Sequence, residues 1–322
     1  MTQQPIKLGG FKILKGMARF SLVIPEESAL TPALFLKSVA QKKINLPYLT
    51  CVHSNGYWGI NMLLESDKGL MLSLLIEEIA GKSCDLTSEF AVLSIFPHKN
   101  DPRILSRLIN ALHSNSVRAE AVATSPSTIS IVLQESDLNS ASTSLFGPFS
   151  FSAYRTPEDW KLAQKGKEHI YKEIIATYQE KRPKVYGLEY HVNQHISYIN
   201  LEKGSSLSAE LFGKDSSDNH RLTFAASYPA QSCSEEILGI CLSDVLQEND
   251  HPGIVFSMNG PHFGDRYGIS HELLYSLEKR NVDVRCLSCT IASITGVVDS
   301  SQLDQTIEGI KDCFDVPVVV QK

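Results

Sequence analysis

Short apolar runs and longer amphipathic stretches alternate along the chain. Apolar runs of about four to eight residues that end at glycine, proline or asparagine are typical of strands, whereas apolar positions about three and four residues apart are typical of helices. These patterns predict strands over residues 11–14, 17–24, 47–53 and 58–64, and helices over residues 31–43 and 66–81. The predicted order is therefore β-α-β-β-α with a leading strand.

Local signals mark the ends of these elements. Thr31 precedes Pro32, a pair in which the hydroxyl caps a helix and the proline takes its first position. Asn55 and Gly56 separate the third predicted strand from the fourth, which indicates a hairpin.

The same order recurs through the rest of the chain. A second set of elements comprises strands over residues 90–96, 119–123 and 128–133, helices that start at residues 101 and 136, and an extended piece over 147–154. A long helix over residues 156–181 carries one apolar stripe, which includes Trp160, and Pro183 ends it. The second half predicts strands over residues 184–192, 195–201, 221–228, 253–258, 282–287, 290–298 and 316–320, and helices over 207–212, 232–246, 269–280 and 300–314.

The repeated order predicts the fold class. A β-α-β-β-α-β unit is the ferredoxin-like split βαβ sandwich, with one antiparallel sheet and two helices on one face. We therefore predict an α+β fold of about four such units in two pairs. The predicted domains are residues 11–84, 85–154, 184–250 (with a shortened first helix) and 251–322, with a linking helix over 155–183. A single doubly wound α/β domain is the alternative, but it would need more β-α crossovers and no tight hairpins.

Composition narrows the class of protein. Hydrophobic residues make up 43% of the 322 residues, enough for several cores, and the net charge of −6 does not indicate a nucleic-acid-binding surface. No apolar run is long enough to span a bilayer, and residues 1–10 lack the pattern of a signal peptide. The seven cysteines, an odd number scattered through apolar runs, are typical of reduced thiols. We therefore expect a cytoplasmic protein that binds neither nucleic acid nor membrane.

The stretch from Asn259 to Ser270 is the first candidate for chemistry. It joins a predicted strand to a predicted helix through a turn rich in glycine. The first turn of a helix has unpaired N–H groups and a partial positive charge, so such a turn can hold a carboxylate or a phosphate. By itself this pattern is common.

Two segments carry a resemblance to a known family. Residues 124–132 read Thr-Ser-Pro-Ser-Thr-Ile-Ser-Ile-Val, and residues 135–138 read Glu-Ser-Asp-Leu. Residues 264–269 read Gly-Asp-Arg-Tyr-Gly-Ile. The first resembles a strand and helix start of the ACT domain. The second resembles that family's Asp-Arg-Pro-Gly-hydrophobic loop, with Tyr267 in place of proline. Residues 185–201 and 223–228 resemble the first ACT domain of a pair. The resemblance is therefore to the paired ACT domains of aspartokinase regulatory regions.

The resemblance implies a small effector, usually an amino acid, held between the strand-to-helix loop of one domain and a strand of its partner. Backbone N–H groups of residues 264–268 would bind the carboxylate, Asp265 could bind an ammonium group, and Arg266 could instead pair with an acidic effector. The implied ligand-binding residues are Asn259, Gly260, Gly264, Asp265, Arg266, Tyr267, Gly268, Ile269, Ser288, Cys289 and Thr290 in the last domain, and His98, Asn100, Asp101, Thr124 and Ser125 in the second. The alternative is that these are ordinary tight loops without a ligand.

The same resemblance predicts a protein without catalysis. An aspartokinase has a kinase domain before its ACT pair, whereas here a regulatory repeat follows residues 7–10 directly. We therefore predict a non-catalytic regulatory protein, not an enzyme, that is linked to amino-acid metabolism. Its expected partners are an amino-acid effector, a second copy in a homodimer and a separate metabolic enzyme. One alternative is a structural or oligomerisation module, or a regulatory subunit of a separate kinase, with no ligand of its own. Another alternative is an unrecognised enzyme.

Metal and redox chemistry are not predicted. Cys286 and Cys289 form one Cys-x-x-Cys pair without a second, and on a strand the two side chains would point to opposite faces. His98 and His262 hold equivalent loop positions, but no helix carries two histidines at ligand spacing. The prediction is therefore no metal, no cofactor and no catalytic residue.

Overall fold

The fold is described from a computed structural model. The described residues are 4–81, 87–164, 182–201, 221–233, 235–243, 252–260, 263, 266–290 and 293–322. The predicted helix over residues 207–212 and most of the predicted helix over 156–181 lie outside them. We number the four predicted units 1 to 4 along the chain.

Strands account for more of the described residues than helices do. In chain order they are Ile6–Leu8 (β1), Gly10–Pro25 (β2), Tyr48–Ser54 (β3), Tyr57–Glu65 (β4), Thr87–Phe96 (β5), Ala121–Thr124 (β6), Ile129–Gln134 (β7), Phe149–Phe151 (β8), Gly187–Asn200 (β9), Leu222–Pro229 (β10), Glu236–Leu242 (β11), Gly253–Asn259 (β12), Val284–Thr290 (β13), Ser293–Asp299 (β14) and Val319–Gln321 (β15). The helices are Pro32–Gln41 (α1), Gly69–Ala80 (α2), Pro102–Ser114 (α3), Leu138–Ser144 (α4), Pro157–Gln164 (α5), Ile269–Lys279 (α6) and Leu303–Cys313 (α7).

Two long strands, β2 and β9, each run through two sheets. The sequence predicts two short strands at each place, but the structure has one strand with an irregular point in the middle. Gly16 has a φ of 74° between the two halves of β2, and Asn193 has a φ of 55° between the two halves of β9. A left-handed residue turns the strand without ending it, so each half can pair with different neighbours.

The sharing of β2 and β9 produces two sheets. The first sheet has the order β2-β4-β3-β13-β14-β12-β9-β15, and the second has the order β2-β5-β7-β6-β10-β11-β9. Strand β3 of unit 1 pairs with β13 of unit 4 in the first sheet, and β6 of unit 2 pairs with β10 of unit 3 in the second. Unit 1 therefore lies beside unit 4, and unit 2 beside unit 3.

The two sheets pack face to face, with helices on their outer faces. Apolar side chains of α1, α2, α6 and α7 pack on the first sheet, and those of α3 and α4 on the second. Between the sheets lies an inner core that includes Val52, Phe224, Tyr228, Val255 and Cys286. The prediction of a mixed α+β fold is confirmed, with one large sheet system in place of separate small ones.

Strand β11 is a correction to the sequence-based prediction of a helix over residues 232–246. The described segment Glu236–Leu242 is a strand that pairs with β10 on one side and β9 on the other. Its apolar run is short and includes two isoleucines, and both of its edges are paired, one with the preceding strand β10 and the other with β9. Tertiary pairing therefore overrides the helical start signal of the preceding serines and glutamates.

The segments outside the sheets also dock on them. Strand β1 lies within the leader, for which the sequence predicts no element, and pairs in parallel with β8. The prediction that the helix after Thr156 docks on a neighbouring surface is confirmed for Trp160, whose ring stacks on Phe11 with centroids 4.8 Å apart.

Candidate functional site

The loop between β12 and α6 is the strongest candidate from the sequence. Gly264 and Asp265 lie outside the described residues, as does His262. At the start of the loop, the Asn259 side-chain oxygen accepts a hydrogen bond from Ser293 at 2.6 Å, so this side chain fastens β12 to β14. A Cβ at Gly260 would lie 2.8 Å from the Lys184 carbonyl oxygen, so the turn requires glycine.

The loop ends at a helix start that no side chain caps. Gly268 is the N-cap of α6 with a φ of 87°, and its carbonyl accepts a hydrogen bond from the Glu272 amide. Ile269 is buried behind it, and Tyr267 is 42% exposed. An uncapped first turn leaves N–H groups for an anionic ligand.

The first turn of α6 faces helix α1 of unit 1. The two helices pack antiparallel: Gly268 approaches Ala40 near the C-terminus of α1, and His271 Nδ1 lies 3.1 Å from the Ala33 carbonyl near its N-terminus. A cleft of about 20 Å³ lies between them, room for about one water. Its lining residues are Leu36, Val39, Ala40, Ile44, Leu46, Phe263, Arg266, Gly268, Ile269, Ser270 and His271. We call this place the α1–α6 cleft.

Arg266 supplies the positive charge of the cleft. Its side chain is 31% exposed, and Nη2 lies 4.0 Å from Glu272 Oε1, a long and partly exposed ion pair. The α1 side of the cleft is apolar. The cleft therefore offers a guanidinium and backbone donors at one end and aliphatic contacts at the other.

The three predicted ligand-binding residues of strand β13 do not all face this cleft. Ser288 points between the two sheets, where its hydroxyl donates to the Thr124 carbonyl at 3.3 Å. Cys289 points to the opposite face, where its sulfur accepts a hydrogen bond from Ser270 at 3.2 Å. Thr290 is buried at the end of the strand. Of these three residues, the contacts place Cys289 beside the first turn of α6.

The second predicted site, in unit 2, is internally bonded. His98 is 1% exposed, its Nε2 lies 2.6 Å from the Ser125 carbonyl oxygen, and its Nδ1 accepts from the Asn100 amide at 3.0 Å. Asp101 caps α3 through the Arg103 amide. The Thr124 hydroxyl exchanges hydrogen bonds with the backbone of Ala225 in unit 3. The structure brings these five residues together, but their polar atoms mainly bond one another and the backbone.

His98 therefore joins two loops of unit 2, and we predict that its replacement lowers the free energy of unfolding. His98→Leu leaves the Ser125 carbonyl and the Asn100 amide unpaired in a buried place, so we expect the free energy of unfolding to fall by about 1–3 kcal/mol. Burial lowers the pKa of His98. The unfolded chain therefore binds the proton more readily, and the stability from neutral His98 is lost as pH falls below about 6.5. Urea unfolding between pH 5 and 8 measures both effects.

The control for His98→Leu is His113→Leu, since His113 lies exposed near the C-terminus of α3. Equal stability losses for the two variants, or an unchanged pH profile in His98→Leu, would contradict the role assigned to His98.

The cysteines of the Cys-x-x-Cys pair are separated by the sheet. Cys286 faces the inner core and Cys289 the helix layer, which confirms that the two side chains point to opposite faces. Burial raises the pKa of both thiols, that of Cys289 to about 12. Among the residues that the structure describes, no group of three or more histidine, cysteine, aspartate or glutamate side chains is placed to hold a metal ion. The described helices include none that is long and apolar enough to cross a membrane.

A buried charged group between the sheets is absent from the sequence-based predictions. Arg19 on β2 forms ion pairs with Glu120, just before β6, and with Glu236 on β11. The available signal was an arginine within the apolar run over residues 17–24. Its partners lie 101 and 217 residues away, so spacing alone could not identify them.

Comparison with known proteins gives a likeness in fold alone. No family model matches the chain, and no curated relative matches it. Among solved structures, the aspartate kinase from Synechocystis superimposes with a TM-score of 0.72 at 14% identity, over 95% of this chain and 56% of that chain. The regulatory subunit of aspartate kinase from Thermus thermophilus in its ligand-free form gives a TM-score of 0.39 at 15% identity, over 44% of this chain and 99% of that chain. Almost all of this chain is therefore matched, but the chain spans only 56% of the length of that aspartate kinase.

This likeness contradicts the predictions that concern catalysis. The sequence predicts a resemblance to regulatory domains without a kinase domain, a purely regulatory function, and no enzyme. Instead, a solved structure that matches 95% of the chain is that of an aspartate kinase, which is an enzyme. Those predictions depended on the regulatory repeat that follows residues 7–10 directly, and at 14% identity such a sequence pattern does not exclude an activity.

Proposed function

We propose that this chain belongs to an aspartate kinase and that an amino acid bound in the α1–α6 cleft regulates the phosphorylation of aspartate. The observation that supports the proposal is the likeness in fold to the Synechocystis aspartate kinase over 95% of the chain. We further infer that the chain consists of four ACT-type units, in which unit 1 pairs with unit 4 and unit 2 with unit 3. The homodimer and the separate metabolic enzyme remain predictions of the sequence.

The cleft suits the two ends of an amino acid. The uncapped first turn of α6 and the Arg266 guanidinium would bind the carboxylate. Leu36, Val39 and Ala40 would contact an aliphatic part of the ligand. Because the cleft holds only about 20 Å³, an amino acid enters only when α1 and α6 move apart. Binding would thus favour one arrangement of units 1 and 4 over another, which is the physical requirement for regulation.

Aspartate-dependent formation of ADP tests the kinase part of this proposal. The protein is isolated from its own source with an affinity tag, so that any further segment or subunit stays attached, and is supplied with ATP with and without L-aspartate. We expect aspartate to accelerate ADP release. An ATP turnover that does not respond to aspartate would contradict the proposal.

Replacement of Arg266 tests the ligand site separately. Calorimetric titration with each common amino acid identifies the ligand, and Arg266→Gln is expected to weaken its binding about tenfold or more, since a charge-assisted hydrogen bond is lost. The matched control is Arg280→Gln, at the other end of α6, where the guanidinium pairs with Asp312 at 2.7 Å. Equal affinities for the wild type and Arg266→Gln would remove Arg266 from the site.

A further inference from the structure

Three charged side chains among the described residues, one guanidinium and two carboxylates, meet between the two sheets. Arg19 Nη1 lies 2.9 Å from Glu120 Oε2, and Nη2 lies 2.6 Å from Glu236 Oε1. The three side chains are 15%, 12% and 7% exposed. They come from units 1, 2 and 3, so this group, which we call the Arg19 cluster, joins the first sheet to the second.

The surroundings of Glu236 are polar but contain little further charge. Its other oxygen, Oε2, accepts a hydrogen bond from Asn61 Nδ2 at 2.8 Å, and Asn61 is fully buried on β4. Strand β10 contributes the side chain of Ser227, and strand β3 contributes the buried hydroxyl of Tyr48, whose pKa is raised by burial and by the charge of Glu236. The Nε atom of Arg19 is buried without a hydrogen-bond partner among the described residues.

The two carboxylates differ in their positive neighbours. Glu120 has two, Arg19 and the exposed Arg118. The Nε atom of Arg118 lies 3.6 Å from Glu120 Oε1. Glu236 has Arg19 alone as an ion-pair partner among the described residues. With both carboxylates ionised, the buried cluster of Arg19, Glu120 and Glu236 carries one negative charge in excess. An uncompensated charge away from water is unfavourable, and uptake of one proton removes it.

We propose that Glu236 is a proton-binding switch between the two sheets: it takes up one proton, which leaves Arg19 paired with Glu120. The proton comes from the solvent and is held on the Glu236 carboxyl group. Burial raises the pKa of Glu236 to about 7, against the opposing effect of Arg19. Above that pH the second carboxylate is ionised, and the contact between β2 and β11 carries the excess negative charge.

The sign of the resulting pH dependence follows from linkage. The ordinary pKa of glutamate is 4.5, so between pH 4.5 and about 7 the folded chain holds a proton that the unfolded chain has released. Folding is then favoured at low pH, and this contribution is lost as pH rises through the folded pKa. A pKa change from 4.5 to about 7 lowers the folding equilibrium constant by about seventyfold between pH 5 and 8.

The test compares the wild type with Glu236→Gln by urea unfolding between pH 5 and 8. Relative to the variant, the wild-type folding constant is expected to fall about seventyfold over this range. Glu235→Gln is the matched control, because the adjacent Glu235 is exposed and bonds Asn200 at 2.8 Å. This control should keep the wild-type profile. An identical pH profile in the wild type and Glu236→Gln would overturn the proposal.

A second measurement needs no folded variant. Carbon-13 NMR of the carboxyl carbons in the folded wild type reports the titration of Glu236 directly. A midpoint near 7 supports the switch, whereas a midpoint below about 5, in the ordinary range of a glutamate, would overturn it.

Discussion

Replacing Arg19 by leucine is expected to lower the free energy of unfolding by about 3–5 kcal/mol at pH 8. The variant keeps Glu120 and Glu236 close together in the interior but removes the guanidinium that both contact, at 2.9 and 2.6 Å. A buried charge that loses its partner costs far more than an exposed one. Urea unfolding measures the loss, which should be smaller at pH 5, where Glu236 is protonated.

The control for Arg19→Leu is Arg118→Leu, which removes the other guanidinium near Glu120. Arg118 is 57% exposed and lies 3.6 Å from the carboxylate, so its loss should cost about 1 kcal/mol or less. If Arg19→Leu were as stable as Arg118→Leu, the Arg19 cluster would not hold the two sheets together.

Gly59→Ala is expected to destabilise the chain by about 1–3 kcal/mol or more. Gly59 lies on β4 and faces β10 across the inner core. A Cβ there would lie 2.7 Å from Tyr228 Cδ2 and 2.9 Å from the Pro229 carbonyl oxygen. The second contact is with backbone, so rotation of a side chain cannot relieve it and the sheets must separate locally.

Gly147→Ala is the matched control for Gly59→Ala, because Gly147 is exposed and a Cβ there would have no neighbour within 4 Å. Thermal and urea unfolding of both variants compare the two positions. An unaffected Gly59→Ala would show that β4 and β10 do not approach as closely as described.

Local signals in the sequence predict the ends of elements well. Thr31 accepts a hydrogen bond from the Leu34 amide, and Asp101 accepts one from the Arg103 amide, so both predicted caps are confirmed. The Asn55-Gly56 pair forms the predicted hairpin turn, with positive φ at both residues. These features depend on neighbours in the chain and on intrinsic backbone preferences, which the sequence contains directly.

The arrangement of the units depends on contacts that local signals do not contain. Strand β3 pairs with β13 more than two hundred residues later, and β9 is divided between β12 and β11. The helix predicted over residues 232–246 was wrong for a related reason, because β11 pairs with β10 on one edge and with β9 on the other. Alternation of apolar residues indicates that a strand has a buried face, but not which strand pairs with it.

The candidate site was predictable as a set of loops but not as a cleft. The sequence marks Gly268 and Arg266 through their resemblance to a known loop. It does not reveal that α1 of another unit forms the opposite wall, or that Ser288 turns away toward Thr124. The Arg19 cluster was missed because its three charged residues belong to three units, and each alone is an ordinary polar residue on or next to a strand.

Regulation through the α1–α6 cleft is tested by the rate of aspartate-dependent ADP formation, measured while the amino acid identified by calorimetry is titrated. We expect the rate to change saturably, with its midpoint at the dissociation constant of that amino acid. In Arg266→Gln the midpoint and the dissociation constant should shift together by about tenfold or more, while Arg280→Gln should leave both unchanged. A rate that stays constant while the amino acid saturates the protein would contradict the claim that the α1–α6 cleft regulates the enzyme.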